Sequence, residues 1–280
     1  MARNLKQFEK EYGGTRVAEL TKALGSVAEK NANETIVDMP NKDNTFRFGV
    51  IGDTHFGSLF ESVPVVESLY ERWSEDGVKV VLHAGDVIDG HGIYKGQEFE
   101  QHRVGLKNQV AWFAENSPSI PGMTTKYILG NHDLSFKKLV GVDVGESISS
   151  ARKDWELQGE DYADITFRVS CGRTYVVRLL HPGGTGSSYA LSYRPQKIVE
   201  ALEGGRKPGM IIVGHYHKAE FLPSYRNIAV LQAGTCQWQT PFMATKGLAA
   251  HVGGWTVEVS LGEESTAVKA QFHAFFRPRD

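Results

Sequence analysis

From residue 46 onward the chain alternates short apolar runs with amphipathic stretches. "FRFGVIGD" (46–53) is a mostly apolar run of strand length. The following "SVPVVESLYERW" places Val65, Val66, Leu69, Tyr70 and Trp73 on one helical face, with Pro64 suited to its start. "VKVVLHAGD" predicts a second strand. A loop with a helical pattern near 98–115 turns Val110 and Phe113 inward, and "KYILGN" predicts a third strand. This alternation predicts βαβ units and a largely buried sheet. The second half leans toward β: "DITFRVS", "RTYVVRLLHPGG", "GMIIVGHYH", "NIAVLQAG", "GWTVEVS" and "TAVKAQFHAFF" read as strands, with one helix at "RPQKIVEALEGG". The expected fold is α/β: two sheets packed face to face with helices outside.

Residues 1–45 differ. Val17, Leu20, Leu24 and Val27 fall at helical spacing after a Gly13-Gly14 break, and "NANETIVDMPNKDN" reads as a polar linker. Two short helices about a glycine turn also fit a helix-turn-helix fragment. The reading adopted is the plainer one, a helical extension and linker over 1–45 ahead of a main domain over 46–280.

Composition narrows the function classes. A formal net charge of −2 over 280 residues argues against a protein whose main task is coating nucleic acid, though not against an enzyme that meets DNA only at its active site. No apolar run approaches the ~18 residues of a membrane span. The N-terminal "MARNLKQFEKEYGG" has no apolar signal core, so the expectation is a cytoplasmic protein with no membrane partner. Cys171 and Cys236, the only cysteines, are expected to be free and partly buried thiols.

Candidate chemistry lies where the strands end. Five apolar runs terminate in Gly plus Asp, Asn or His: "GVIGDTH", "VLHAGDVID", "YILGNHD", "VRLLHPGG" and "IIVGHYH". Singly, each has a structural explanation: a capped strand end at Asp53 and His55, a helix cap at Asp86, a turn at Asn131–Asp133, a polar strand end at His181. Asp53 and His55, at i and i+2 of an extended segment, point to one side and could reach one ion. Two imidazoles flanking one residue, His215 and His217, have little structural purpose. Together the five ends supply four candidate imidazole ligands, His55, His181, His215 and His217, in a chain with ten histidines. Oxygen and imidazole donors without cysteine suit Mn²⁺, Fe, Zn²⁺, Co²⁺ or Ni²⁺ rather than Ca²⁺ or a thiolate zinc site. Seven ligands exceed the needs of one ion and suffice for two that share a carboxylate.

In order and strand context, "GDTH", "GDVID", "GNHD", the lone His181 and "GHYH" resemble the five blocks of the calcineurin-like metallophosphoesterases over roughly residues 46–220. The resemblance implies a four-layer α/β/β/α sandwich with two mixed sheets, completed by the β-rich segment to 280. It implies Asp53, His55 and His217 on a first ion, Asn131, His181 and His215 on a second, and Asp86 bridging them. Mn²⁺ is the expected metal, and the expected nucleophile is a hydroxide held between the ions. His132 corresponds to the family's leaving-group acid, and Asp133 is expected to orient it.

Departures from subgroups address the substrate. The protein Ser/Thr phosphatases carry arginines where this chain has Gly90 and Leu129, and "GNHE" where it has "GNHD". The pattern looks more like the diesterase and nuclease branch, so a phosphodiesterase acting on DNA ends or nucleotides is the leading expectation. A phosphomonoesterase for nucleotides or other small phosphates, and a non-catalytic scaffold, are the alternatives. His91, Tyr94 and Arg194 are candidate substrate contacts, Asp89 a brace for its loop, and His83 a buried structural histidine. Residues 1–45 could recruit a protein partner.

Overall fold

Period-2 alternation along continuous apolar strands sorts side chains into separate cores. In the computed structural model, which describes residues 35–40, 43–183, 190–205 and 207–277, β2 (Thr45–Ile51) sends Phe46, Phe48 and Val50 to one face and Ile51 to the other. β3 (Val80–His83) divides in the same way, with Val80 and Leu82 opposite Val81. So does β4 (Thr124–Ile128), with Ile128 opposite Tyr127. Strands buried on both faces belong inside a layered α/β architecture.

β2, β3, β4 and β5 (Trp155–Gly159) run parallel. With β11 (Gly253–Leu261), antiparallel to β2, and β12 (Thr266–Ala274), antiparallel to β11, they form one sheet, order β12-β11-β2-β3-β4-β5. The second sheet comprises β1 (Thr35–Met39), β6 (Tyr162–Val169), β7 (Thr174–Leu180), β8 (Met210–Val213), β9 (Ala219–Tyr225) and β10 (Ile228–Ala233), in the order β1-β6-β7-β8-β10-β9. The sheets face each other across a core that includes Phe46, Phe48, Ile165, Phe167, Leu179 and Ile212; the Phe46 and Phe167 rings stack 4.8 Å apart. Helices α1 (Val63–Glu75), α2 (Leu106–Asn116), α3 (Leu134–Val140) and α4 (Val144–Ala151) cover the outer face of the first sheet. α5 (Tyr193–Glu200) packs Val199 against Ile211, Val213 and Val230 on the outer face of the second. A short α6 (Pro241–Thr245) follows β10. The expected α/β/β/α sandwich of two mixed sheets is thus the observed one.

Several details differ from the sequence reading, which also did not predict β5 and β9 as strands. Residues 35–39, assigned to the linker, form β1 and pair in parallel with β6; the expected helices of the 1–45 extension fall in residues 1–34, outside the described residues. The helical pattern near 98–115 resolves into a 3₁₀ turn at Gln97–Glu100 and the separate α2, which does bury Val110 and Phe113. α3 and α4 were not anticipated. Among the described residues no helix is long and apolar enough to cross a membrane.

Cys171 is exposed, whereas Cys236 is buried, and burial pushes its thiol pKa upward. We expect one thiol to react promptly with an aromatic disulfide reagent in native protein and two after denaturation; two fast thiols in native protein would contradict this packing.

Candidate metal centre

Because β2, β3 and β4 are parallel neighbours, Asp53, Asp86 and Asn131 leave the first sheet side by side; β7 and β8 deliver His181 and His215 likewise from the second. Backbone bonds knit these exits together. Asp53 N–H donates to Gly85 O (2.9 Å) and His55 N–H to Asp86 O (3.1 Å). The Asp53 carboxylate accepts His215 N–H at 2.9 and 3.0 Å. Thr235 Oγ1 donates to Asp53 O at 2.8 Å.

Two groups of donor atoms result. In the first, His217 Nε2 lies 3.4 Å from Asp53 Oδ1 and 3.1 Å from His55 Nε2. In the second, His181 Nε2 lies 3.1 Å from both Asp86 Oδ2 and Asn131 Oδ1, and His215 Nδ1 lies 2.8 Å from Asn131 Oδ1. Asp86 Oδ2 is also 3.9 Å from His55 Nε2, so it faces both groups. Each group brings three His or Asp donor atoms, Asp53/His55/His217 and Asp86/His181/His215, within 4.8 Å of one another.

The extended geometry expected of Asp53-Thr54-His55 is not what brings these donors together. Asp53, His55, Asp86, His215 and His217 all have positive φ, between 49° and 75°; among the described residues only Asn44, Arg226 and Asn227 otherwise do so without being glycine. A side chain in this region costs on the order of 1 kcal/mol or more. Five such residues persist because the surrounding bonds and the packed sheet ends over-determine them. Gly130 is required by close approach: a Cβ there would collide with the Asp86 carboxylate and the His181 ring.

Electrostatics and donor chemistry fit a cation. Burial works against the ionised Asp86 carboxylate, but the charges of His181 and His132 outweigh it and hold its pKa well below the usual range. Burial disfavours His181 imidazolium, yet Asp86 raises its pKa to about 10. His181 Nδ1 sits 2.7 Å from Ala84 O and so donates there, leaving Nε2 toward Asp86 and Asn131. An imidazole anchored on a carbonyl through one nitrogen while presenting the other is the usual metal-ligand arrangement. His55, by contrast, is lowered by burial and by neighbouring His132.

Around His132 the structure corrects the sequence reading. Asp133 does not orient the His132 ring. Its buried carboxylate accepts the N–H groups of Val87 (3.1 Å), Ile88 (2.9 Å) and Gly130 (2.9 Å). Burial and Asp86 push its pKa up to about 7 against the pull of those bonds. Consecutive residues entering a helix diverge by about 100°, which sends the two side chains apart. His132 Nδ1 instead meets Asp89 O at 2.6 Å, while Asp89 Oδ1 lies 3.3 Å from His55 Nδ1. Asp89, His55 and His132 form a third convergent group. Sequence reading gave Asp89 only a bracing role; the second aspartate of "GDVID" was the available signal. Asp133→Ala would strand three buried N–H groups, so we expect a loss of about 3 kcal/mol. Thermal unfolding should register it as a Tm lower by roughly 5–10 °C.

The remaining candidates lie outside these groups. His91 N–H donates to Ser135 Oγ (2.8 Å). The Tyr94 hydroxyl donates to Glu100 (2.7 Å) and its ring stacks on Phe242 at 4.2 Å, so both its polar and apolar parts are engaged within the protein. Arg194 lies in α5; burial raises the Tyr216 pKa, and the Arg194 charge offsets only part of that rise. His83 is a buried structural histidine as expected: its pKa falls to about 3 through burial, and it bonds Thr54 and Gly85. Leu129 is a core residue, and a side chain at Gly90 would collide with the His132 carbonyl, so neither position has room for a phosphate-gripping arginine in this packing.

A sequence model of the calcineurin-like phosphoesterase family matches residues 46–219. The chain is similar to the DNA polymerase II small subunits of Halobacterium salinarum (33% identity over 96 residues, 32% of this chain and 19% of the relative) and Archaeoglobus fulgidus (31% over 106 residues, 33% and 21%). It therefore spans about a fifth of the length of these curated relatives. Among solved structures it is similar to a dimetal phosphatase from Danio rerio (12% identity, 80% of this chain and 95% of that one, TM-score 0.42) and to vacuolar protein sorting 29 from Cryptosporidium parvum (12%, 83% and 100%, TM-score 0.40).

Proposed function

The chain belongs to the calcineurin-like phosphoesterase family, and from that premise we propose that it is a two-metal phosphodiesterase acting on nucleic-acid or nucleotide diesters. The observation that carries this reading is the pair of donor groups facing one carboxylate, Asp86, with the His132 ring edge-on to His55 at 4.4 Å. Asp53, His55 and His217 would hold one cation; Asn131, His181 and His215 would hold the other, with Asp86 shared. Mn²⁺ is the favoured ion; Fe, Zn²⁺, Ni²⁺ and Co²⁺ share its donor preferences. When bound, such a pair supplies Lewis-acid neutralisation of the phosphoryl oxygens and lowers the pKa of water.

The chain's own residues supply the rest. His132 donates Nδ1–H to Asp89 O, so as the imidazolium it presents Nε2–H to the departing oxygen and returns, after that transfer, to the neutral Nδ1–H tautomer. Asp89 fixes that tautomer through its backbone and steadies His55 through its carboxylate. Gly90 and Leu129 remove the paired guanidinium grip that suits a terminal phosphate, which favours a diester. Relatives that carry the name of a DNA polymerase subunit support a nucleic-acid diester. His91 and Arg194 are the proposed flanking substrate contacts. The test is hydrolysis of bis-p-nitrophenyl phosphate against p-nitrophenyl phosphate with Mn²⁺: preference for the diester is expected, and preference for the monoester would overturn the reading.

Metal loading should be pH-dependent. With a pKa near 10, His181 carries a proton at pH 7 in the metal-free protein. Ligation through Nε2 must expel it. Calorimetry in buffers of differing ionisation enthalpy should detect about one proton released from this group. Affinity should rise with pH until His181 deprotonates, and His181→Ala should abolish that release. In the metal-free fold the same raised pKa stabilises below its ordinary value of 6.5 and is lost as pH rises through about 10.

A further inference from the structure

Resting on the diesterase reading, we infer that Phe99 is a stacking platform for a nucleobase of the substrate. Phe99 is 80% exposed, an aromatic ring left almost wholly in water. It lies in the 3₁₀ turn Gln97–Glu100, within the loop that leaves β3 after Asp86 and Asp89. That turn is held rigidly, and by the metal-site loop itself. Gln97 Nε2 donates to Asp89 O (2.7 Å), and its Oε1 accepts Ile93 N–H (2.9 Å). Gln101 Nε2 donates to Asp89 Oδ2 (2.6 Å) and Gly90 O (2.9 Å). Phe99 therefore sits between the two glutamines that grip Asp89, and Asp89 in turn faces His55 and His132.

The platform has a second member. Leu59, 57% exposed, lies four residues beyond His55 on the loop leaving β2, and its N–H donates to Glu100 O at 2.8 Å. Both loops that deliver candidate ligands from β2 and β3 thus present an apolar side chain to solvent at the same end of the sheet. Tyr94 and Phe242 brace the turn from within through the Tyr94–Glu100 bond. Glu98 and Glu100 flank Phe99 in sequence. Their carboxylates disfavour a phosphate beside the ring, so the face suits the uncharged base. A fixed aromatic ring loses little freedom on stacking, and base–aromatic stacking tolerates every base.

The test compares two diesters with the same leaving group, thymidine 5′-(p-nitrophenyl phosphate) and methyl p-nitrophenyl phosphate, using the full chain loaded with Mn²⁺. Phe99→Ala should raise KM for the thymidine ester by roughly 5- to 150-fold, with kcat and the methyl ester unaffected. Phe99→Trp should keep wild-type KM. No KM change in Phe99→Ala, or an equal change for both esters, overturns the platform while leaving the diesterase reading intact. Failure of wild type to hydrolyse either ester removes the diesterase reading instead. The platform is then judged on binding of thymidine 5′-monophosphate to the Mn²⁺-loaded protein, and binding that does not depend on Phe99 overturns it.

Discussion

Asp86→Asn is expected to lower kcat/KM for bis-p-nitrophenyl phosphate by on the order of 10³-fold, the equivalent of several kcal/mol of transition-state stabilisation. The carboxylate is committed on both sides. Oδ1 accepts the His132 N–H at 2.8 Å, while Oδ2 faces His181 at 3.1 Å and His55 at 3.9 Å. An amide keeps the shape but can present an acceptor to one side only. If its oxygen stays with His132 N–H, its NH₂ points at the donor groups, where a cation needs a lone pair. If it flips, the NH₂ meets the His132 N–H and displaces the acid. The negative charge that balances His181 is lost in either orientation. Metal content measured on the same preparation should fall below wild type. Full activity with undiminished metal would remove Asp86 from the centre of the site and with it the two-ion reading.

Much of the architecture was legible because burial on two faces leaves an unmistakable record. Within "VKVVLHAGD" and "GMIIVGHYH", Val80–Leu82 and Met210–Val213 are apolar at consecutive positions, and a strand with a core on each side requires that. β1 left no such record: its five residues alternate between half-buried and exposed at a sheet edge, and "TIVDM" lies inside polar sequence. α3 and α4, of seven and eight residues with Gly141 between them, are too short for a helical period to stand out. β9 contains Pro223, which an edge strand can tolerate but a sequence pattern discounts. At the site, residue types and order identified the donors that converge, since few other demands place imidazoles at successive strand ends. Their backbone conformation was not readable. Left-handed φ at Asp53, His55, Asp86, His215 and His217 comes from bonds between loops far apart in sequence, such as Thr235 to Asp53. The exchange of Asp133 for Asp89 beside His132 has the same origin. Adjacency in sequence suggested a partner, but the start of α3 turns Asp133 toward the β3 loop, and that loop returns Asp89 to the ring.

His132→Ala should produce a loss whose size depends on what leaves. Its ring is fixed by the Nδ1–Asp89 O bond and by edge-on contact with His55 at 4.4 Å. In the proposed role the imidazolium gives up its Nε2 proton at that one place and keeps Nδ1–H on Asp89 O. For a dinucleotide or oligonucleotide the departing group is an alkoxide, a strong base that leaves only as it is protonated, and general acid catalysis is worth ~10²–10⁴-fold there. p-Nitrophenolate is stable at neutral pH without a proton, so the same substitution should cost far less with bis-p-nitrophenyl phosphate, about tenfold or under by the same Brønsted logic. A series of aryl and alkyl diesters should then show a steeper dependence on leaving-group basicity in the variant than in wild type. Parallel lines of equal offset would mean that His132 binds the phosphoryl group rather than protonating the leaving oxygen, because lost binding is paid equally by every ester. Metal content separates a third outcome: if His132→Ala also loses metal, the third donor group of His55, Asp89 and His132 acts through the ions. With metal retained and the slope steepened, the proton is what His132 contributes.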